Sequence, residues 1–188
     1  YIRGVRSNQL VGYGLVAGLD GTGDGRRVPF TRQMLANMVN QFGVTFESFQ
    51  LRAENVAAVM VTAELPAYAK EGAKMDATVS AIGDAESLRG GTLLLTALRA
   101  GDNEVYAVAQ GPVSVGSSDA GRRGRDAHLT TGLLVQGAIV EREVSSTILT
   151  DQRSLTLHLQ RPDFTTARRM ADSLNFYFHQ QLAEAIDG

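Results

Sequence analysis

One stretch, residues 8–25, constrains the fold more than any other. The apolar, glycine-spaced run Gly12-Tyr13-Gly14-Leu15-Val16-Ala17 leads straight into Gly18-Leu19-Asp20-Gly21-Thr22-Gly23-Asp24-Gly25. Aromatic, β-branched and leucine side chains interleaved with glycine suit a strand that another backbone approaches closely or that bulges. The pattern therefore predicts a bulged strand. Four glycines among the next eight residues carry too much backbone entropy for a regular element, so a mobile loop is expected there. The loop also defeats a dinucleotide reading. Gly12, Gly14 and Ala17 satisfy the glycine fingerprint, but a pyrophosphate needs a helix N-terminus in front of it, and a glycine loop follows instead.

Downstream, Pro29 opens a segment with Met34, Leu35, Met38, Val39 and Phe42 at helical spacing, and Gly43 is placed to end it. Residues 55–65 form a nearly unbroken apolar run stopped by Pro66, and residues 75–82 alternate around Val79. A turn-rich link over 84–91 leads to a strand over 92–96, and residues 104–115 alternate again, with Pro112 marking an edge or a bulge. Residues 116–126 are small, polar and glycine-rich, the composition of a linker or long loop. Strands are then expected over 133–144 and 154–159. A closing helix is expected after Pro162, N-capped by Asp163, with the stripe Ala167, Met170, Ala171, Leu174, Phe178, Leu182 and Ala185. The fold class is α+β. A β-rich domain with one helix is expected over 1–117, a linker or long loop over 118–131, and a β-β-α unit over 132–188 that is too small to be complete alone.

Composition closes off several functions. A chain of 188 residues can bury roughly 70% of its unfolded surface, so a core needs no staples. It has no cysteine, which excludes a disulfide framework, a thiolate metal site and a thiol nucleophile. With 18 basic and 20 acidic residues the net charge is −2, so nucleic acid is not an expected partner. No apolar stretch approaches the ~18 residues of a membrane span, and the chain opens at Tyr1 with no methionine or leader. A soluble chain, processed or cut, is expected.

The candidate chemistry is sparse. Asp20, Thr22, Asp24 and Gly25 match the opening positions of a calcium loop, but Thr31 stands where the bidentate Glu belongs, so a surface loop with incidental carboxylates is the plainer reading. His128, His158 and His179 are dispersed, with neither a zinc-binding spacing nor a triad partner. Glu141 and Glu143 fall on one face of an expected strand, roughly 7 Å apart at ~3.3 Å per residue, between the separations of retaining and inverting glycosidases. A solvated charged face explains them as well. Arg122, Arg123 and Arg125 make the one basic cluster, either a solvated loop or a contact for an anionic polymer or an acidic partner. No catalytic set, metal site or cofactor site is expected.

Read together, several blocks are more specific than any single motif. The run from Gly12 through Asp24, Asn55-Val56-Ala57-Ala58-Val59-Met60-Val61-Thr62-Ala63, Ser87-Leu88-Arg89-Gly90-Gly91-Thr92-Leu93-Leu94, Val105-Tyr106-Ala107-Val108-Ala109-Gln110-Gly111 and Gly137-Ala138-Ile139-Val140-Glu141-Arg142-Glu143 stand in this order. In that order they resemble the flagellar P-ring family, essentially over the whole chain. The resemblance implies a structural, non-enzymatic subunit of the bacterial flagellar basal body in the periplasm. Many copies would close into a ring around the distal rod at the peptidoglycan layer, beside the L-ring, and act as a bushing. The implied partners are the chain itself, the L-ring protein, the distal rod protein and peptidoglycan. Family members start with a cleaved secretory signal and continue well past the position of Gly188, so an N-terminal portion is expected. The terminal unit, led by Pro162-Asp163-Phe164-Thr165-Thr166-Ala167, is similar to the strand-and-helix ring-building modules of other envelope rings. On this reading Arg52 and Arg89, beside two strands, would meet an acidic rod by long-range attraction. The alternative is a periplasmic peptidoglycan-binding module or hydrolase that uses Glu141, Glu143 or the arginine loop.

Overall fold

The computed structural model describes residues 2, 5–25, 28–41, 54–116, 129–144 and 154–187. Its elements are β1 (Asn8–Ala17), α1 (Pro29–Gln41), β2 (Val56–Leu65), β3 (Lys74–Ala81), β4 (Thr92–Arg99), β5 (Val105–Pro112), β6 (Ser114–Val115), β7 (Thr131–Val140) and α2 (Phe164–Phe178). All strand pairs are antiparallel, in the order β3-β2-β1-β4-β5-β7, and β3 pairs back onto β7. The sheet thus closes into a six-stranded barrel, with the short β6 extending β5 along β7.

Alternation along each strand decides what enters the barrel. Leu10, Gly12, Gly14 and Val16 of β1 are buried, as are Val59, Val61 and Ala63 of β2, Ala77 and Val79 of β3, Ala107 and Ala109 of β5, and Leu134 and Ala138 of β7. Glycine and alanine recur because even an eight-stranded barrel is only just wide enough to be filled by side chains, and six strands leave less room. Gly14 shows the constraint most directly. A Cβ there would overlap the Thr96 hydroxyl, which is turned inward and donates to the Leu94 carbonyl at 2.7 Å.

The strand over β1 is as expected, but the bulge is not in it. β1 pairs with β2 in one unbroken register from Asn8↔Leu65 to Ala17↔Val56. Both neighbours of β4 see one extra residue in that strand: Val11↔Arg99 becomes Val16↔Leu93 on one side, and Leu93↔Gly111 becomes Thr96↔Ala109 on the other. The bulge therefore belongs to β4, and the β1 glycines make room for the side chain it turns inward. A second irregularity lies at the seam. Between Met75↔Ala138 and Ala77↔Leu134, β7 carries two residues more than β3. Gln136 takes a left-handed φ of 53° there, and its N–H donates to Asp76 Oδ1 at 2.7 Å.

Helix α1 lies on the outside of the barrel. It starts with Pro29, which pre-sets the first-turn φ, and Met34, Leu35 and Met38 pack over Leu15, Val56 and Ala58. The expected end of this helix, Phe42 and Gly43, lies outside the described residues.

The chain divides into two compact units, Ser7–Val144 and a second made of Tyr1–Arg6 with Ser145–Gly188. This division differs from the expected boundary. β7 is hydrogen-bonded to β3, β5 and β6, so residues 132–144 belong to the barrel and not to a β-β-α unit. The glycine-rich composition around 116–126 marks a connection between neighbouring strands of one sheet. In the second unit, the expected strand over 154–159 is reduced among the described residues to isolated pairing, with Leu157 bridged to Ile2. α2 starts as the sequence predicts, with Asp163 accepting from the Thr165 and Thr166 amides at 3.2 and 3.0 Å. It ends sooner, because His179 adopts φ 52° and caps it. Leu182 and Ala185 therefore lie beyond the helix. The chain there is held to α2 by Asn175, whose side-chain oxygen accepts from the Leu182 and Ala183 amides at 2.7 and 2.8 Å.

Two outcomes follow from this packing. Gly14→Ala should lower stability to denaturant by about 1–3 kcal/mol through overpacking, and adding Thr96→Ala should recover part of the loss, since the two groups share one site. The Thr166 hydroxyl, followed by the Thr166 and Thr165 amides, holds the Asp163 carboxyl below its ordinary 3.8. A depressed carboxyl stabilises α2 above the unfolded-state value and loses that effect as pH falls through the folded value. An NMR titration should place the Asp163 midpoint below 3.8, and a midpoint at or above it would contradict the cap.

Candidate interaction surface

One end of the barrel gathers its connections into a pinned platform. The 18–25 loop enters it directly from β1. Gly18 and Leu19 donate to the Asn55 carbonyl at 3.0 and 3.1 Å, and Gly23 donates to Glu54 at 2.8 Å. The link between β3 and β4 is tied to the same loop, with Glu86 and Ser87 donating to the Thr22 carbonyl and the Thr22 hydroxyl donating to Ser87 at 2.9 Å. Leu88 fills the space beneath, fully buried, and its amide donates to Leu129 at 2.8 Å. The expected mobile loop is thus a hydrogen-bonded part of the fold, because its glycines let backbones approach closely.

Asp24 is the centre of this platform. It is fully buried, so the expectation of an incidental surface carboxylate is corrected. Its Oδ2 accepts from the Thr31 hydroxyl at 2.5 Å and the Ala58 amide at 2.7 Å, and its Oδ1 accepts from the Ala85 amide at 3.0 Å. One carboxylate thereby joins the loop, the first turn of α1, β2 and the β3–β4 link. The last paired residue of β3 is Ala81, opposite Val59, and Asp24 supplies the acceptor that β3 no longer offers to Ala58. Gly83 is required beside it, since a Cβ there would enter the carboxylate. Asp24 is consumed by protein donors, Asp20 is exposed, and no group of metal-ligating side chains occurs among the described residues.

The carboxylates considered for hydrolysis are arranged differently from expectation. β7 ends at Val140, so Glu141 and Glu143 do not share a strand face. Both are exposed, and Glu143 pairs with Lys70 Nζ at 2.6 Å, which holds its carboxyl below the usual range. Arg142 pairs with Glu104 at 3.0 Å, with its guanidinium 6.0 Å from the Tyr106 ring. The Tyr106 hydroxyl donates to Asp102 at 2.7 Å. That bond lowers the Asp102 carboxyl and raises the Tyr106 phenol. These pairs give the barrel a charged surface there.

Arg89 is exposed on the pinned link, and its amide donates to Ser87 Oγ at 3.1 Å. Arg52, Arg122, Arg123 and Arg125 lie outside the described residues, as does His128. The sequence reading missed two apolar faces on the barrel's outer wall. Val11 and Tyr13 of β1 are exposed beside Leu95 at the β4 bulge, and Leu133, Val135 and Ile139 of β7 are exposed as a second row. The signal was present: Leu10-Val11 and Leu133-Leu134-Val135 are apolar on both strand faces, where a half-buried strand would alternate.

Asp24→Asn should lower stability by about 1–3 kcal/mol, because a neutral amide cannot satisfy the same donors. Asp20→Asn should stay within about 0.5 kcal/mol. Calcium should leave the thermal midpoint of the unmodified protein unchanged, since only a ligand that binds the native state raises it.

Comparison with known proteins supplies the family. The family described as "Flagellar P-ring protein" matches residues 1–188. A "Flagellar P-ring protein" of Syntrophotalea carbinolica is 50% identical over 189 residues, covering 99% of this chain and 51% of that protein. One from Nitrosomonas europaea is 51% identical over 192 residues, covering 100% of this chain and 52% of that protein. One from Campylobacter jejuni subsp. jejuni is 48% identical over 184 residues, covering 98% and 53%. The chain spans about half the length of the curated relatives it matches. With the whole of its described length matched at this identity, the chain belongs to the flagellar P-ring protein family.

Proposed function

We propose that this chain is the N-terminal part of a structural subunit of the flagellar P-ring. Copies of the subunit close into a ring in the periplasm, around the distal rod of the basal body at the peptidoglycan layer. The ring sits beside the L-ring and serves as a bushing for the rotating rod. The match to the P-ring family along the full 188 residues carries this reading. The barrel supports it, because a bearing must not deform, and a closed sheet with pinned end loops has few soft modes. The terminal unit, with its capped α2, contributes to ring building in this scheme. The stretch with Arg122, Arg123 and Arg125 offers positive charge to anionic cell-wall polymers or to a neighbouring ring in this scheme.

Arg89 and Arg52 are the proposed rod-facing charges. Arg89 is exposed at the pinned end of the barrel, where attraction to an acidic axle acts over about a Debye length without interlocking. Glu86 is exposed nearby and tempers that field.

The reading is tested by supplying the full-length protein to flagellated cells that lack their own P-ring protein, then imaging isolated basal bodies. Rings around the rod and restored swimming are expected, and rods without rings would contradict the proposal. In the same cells, Arg52→Ala with Arg89→Ala should reduce ring yield and swimming at low expression, more strongly at lower ionic strength, where the attraction is less screened. Unchanged yield at every level would remove these two residues from the rod contact while leaving the ring in place.

A further inference from the structure

The barrel leaves its neighbours few ways to attach. Closure of β3 on β7 removes the free strand edges through which sheets commonly associate. A contact through the barrel wall is therefore made by side chains on its outer faces. Two of these faces are apolar where most outward positions are polar. The first carries Val11, Tyr13 and Leu95, the last two 63% and 68% exposed. The second carries Leu133, Val135 and Ile139, with Val135 60% exposed.

Strand order places these faces on opposite sides. From β1 the barrel runs through β2 and β3 to β7 one way, and through β4 and β5 to β7 the other way. β1 and β7 are thus diametrically opposed. A ring of identical subunits is built from heterologous contacts, one patch meeting a different patch on the next copy. In a ring wide enough to surround a rod, each subunit's two patches must point in nearly opposite directions. Charges at the margins also suit such a contact. Glu64 and Arg99 are exposed on the strands flanking β1, and Lys74 and Asp76 are exposed on β3 beside β7.

We propose that the β1/β4 face (Val11, Tyr13, Leu95) and the β7 face (Leu133, Val135, Ile139) are the two halves of one head-to-tail contact between neighbouring copies of this chain. The inference rests on the ring reading above. Each face presents exposed apolar side chains of the kind that mark association sites, and both would form the water-excluding centre of the contact, with the charged residues at its rim.

The test uses the full-length protein in assembled basal bodies, with a short bismaleimide as the cross-linker and the parent protein as background. Copies bearing Tyr13→Cys and differently tagged copies bearing Val135→Cys are expressed together. Cross-linked dimers should contain both tags, neither variant alone should give dimers, and the double variant should give a ladder of covalent multimers. Leu95→Cys with Leu133→Cys provides a second pair should the first disturb assembly. Rings in the micrographs without cross-linking by either pair would overturn the contact and leave the ring reading standing. Dimers formed by a single variant alone would overturn it too, since they require one patch to meet itself. Absence of rings from the unmodified protein would overturn the ring reading and this contact together.

Discussion

The pairing of β3 with β7 is the interaction on which the rest of the structure depends. It converts an antiparallel sheet into a barrel, and a barrel of this size dictates its own filling. The narrow interior takes Gly12, Gly14, Ala77, Ala107, Ala109 and Ala138 at inward positions, interleaved with larger residues such as Leu10, Val59, Val79, Leu98 and Leu134 that complete the core. The seam is made to fit by Gln136, whose left-handed backbone in β7 is bonded to Asp76 of β3. Closure also decides how the molecule can associate. Among the described residues both long edges, β3 and β7, are paired, so a contact through the barrel wall is made by side chains.

The second constraint sits at the barrel end. A fully buried carboxylate is costly unless donors surround it, and Asp24 is surrounded by Thr31, Ala58 and Ala85. The same bonds fix α1, the glycine loop and the link carrying Arg89 to one another. A loop rich in glycine, usually a sign of motion, is here a means of bringing backbones close enough to share one acceptor.

Much of the secondary structure was legible in the sequence. Pro29 and the stripe of Met34, Leu35 and Met38 set out α1, Asp163 marked the start of α2, a glycine-spaced run and an unbroken apolar run located β1 and β2, and alternation located β3 and β5. What could not be read was long-range. The residues around 116–126 have the composition of a linker whether they join domains or adjacent strands, and only the pairing of β7 shows which. The bulge expected in β1 lies across the ladder in β4, because glycine records that something approaches without naming which strand moves. Asp24 looked like a loop carboxylate, since burial depends on segments more than 30 positions away in the chain. The proposed contact surface was less legible still. The outward side chains of β1 and β7 stood in plain view, yet their meaning depends on β1 and β7 being opposite each other, and that is a property of the closed barrel alone.

The claim that the barrel is closed is tested most directly by NMR on the isotopically labelled chain. Cross-strand NOEs between β3 and β7, at Thr78 with Leu133 and Ser80 with Thr131, should appear together with amide protection in both strands like that of β1 and β2. Absence of these NOEs, with rapid exchange along β3 and β7, would show an open sheet with two free edges and contradict the account.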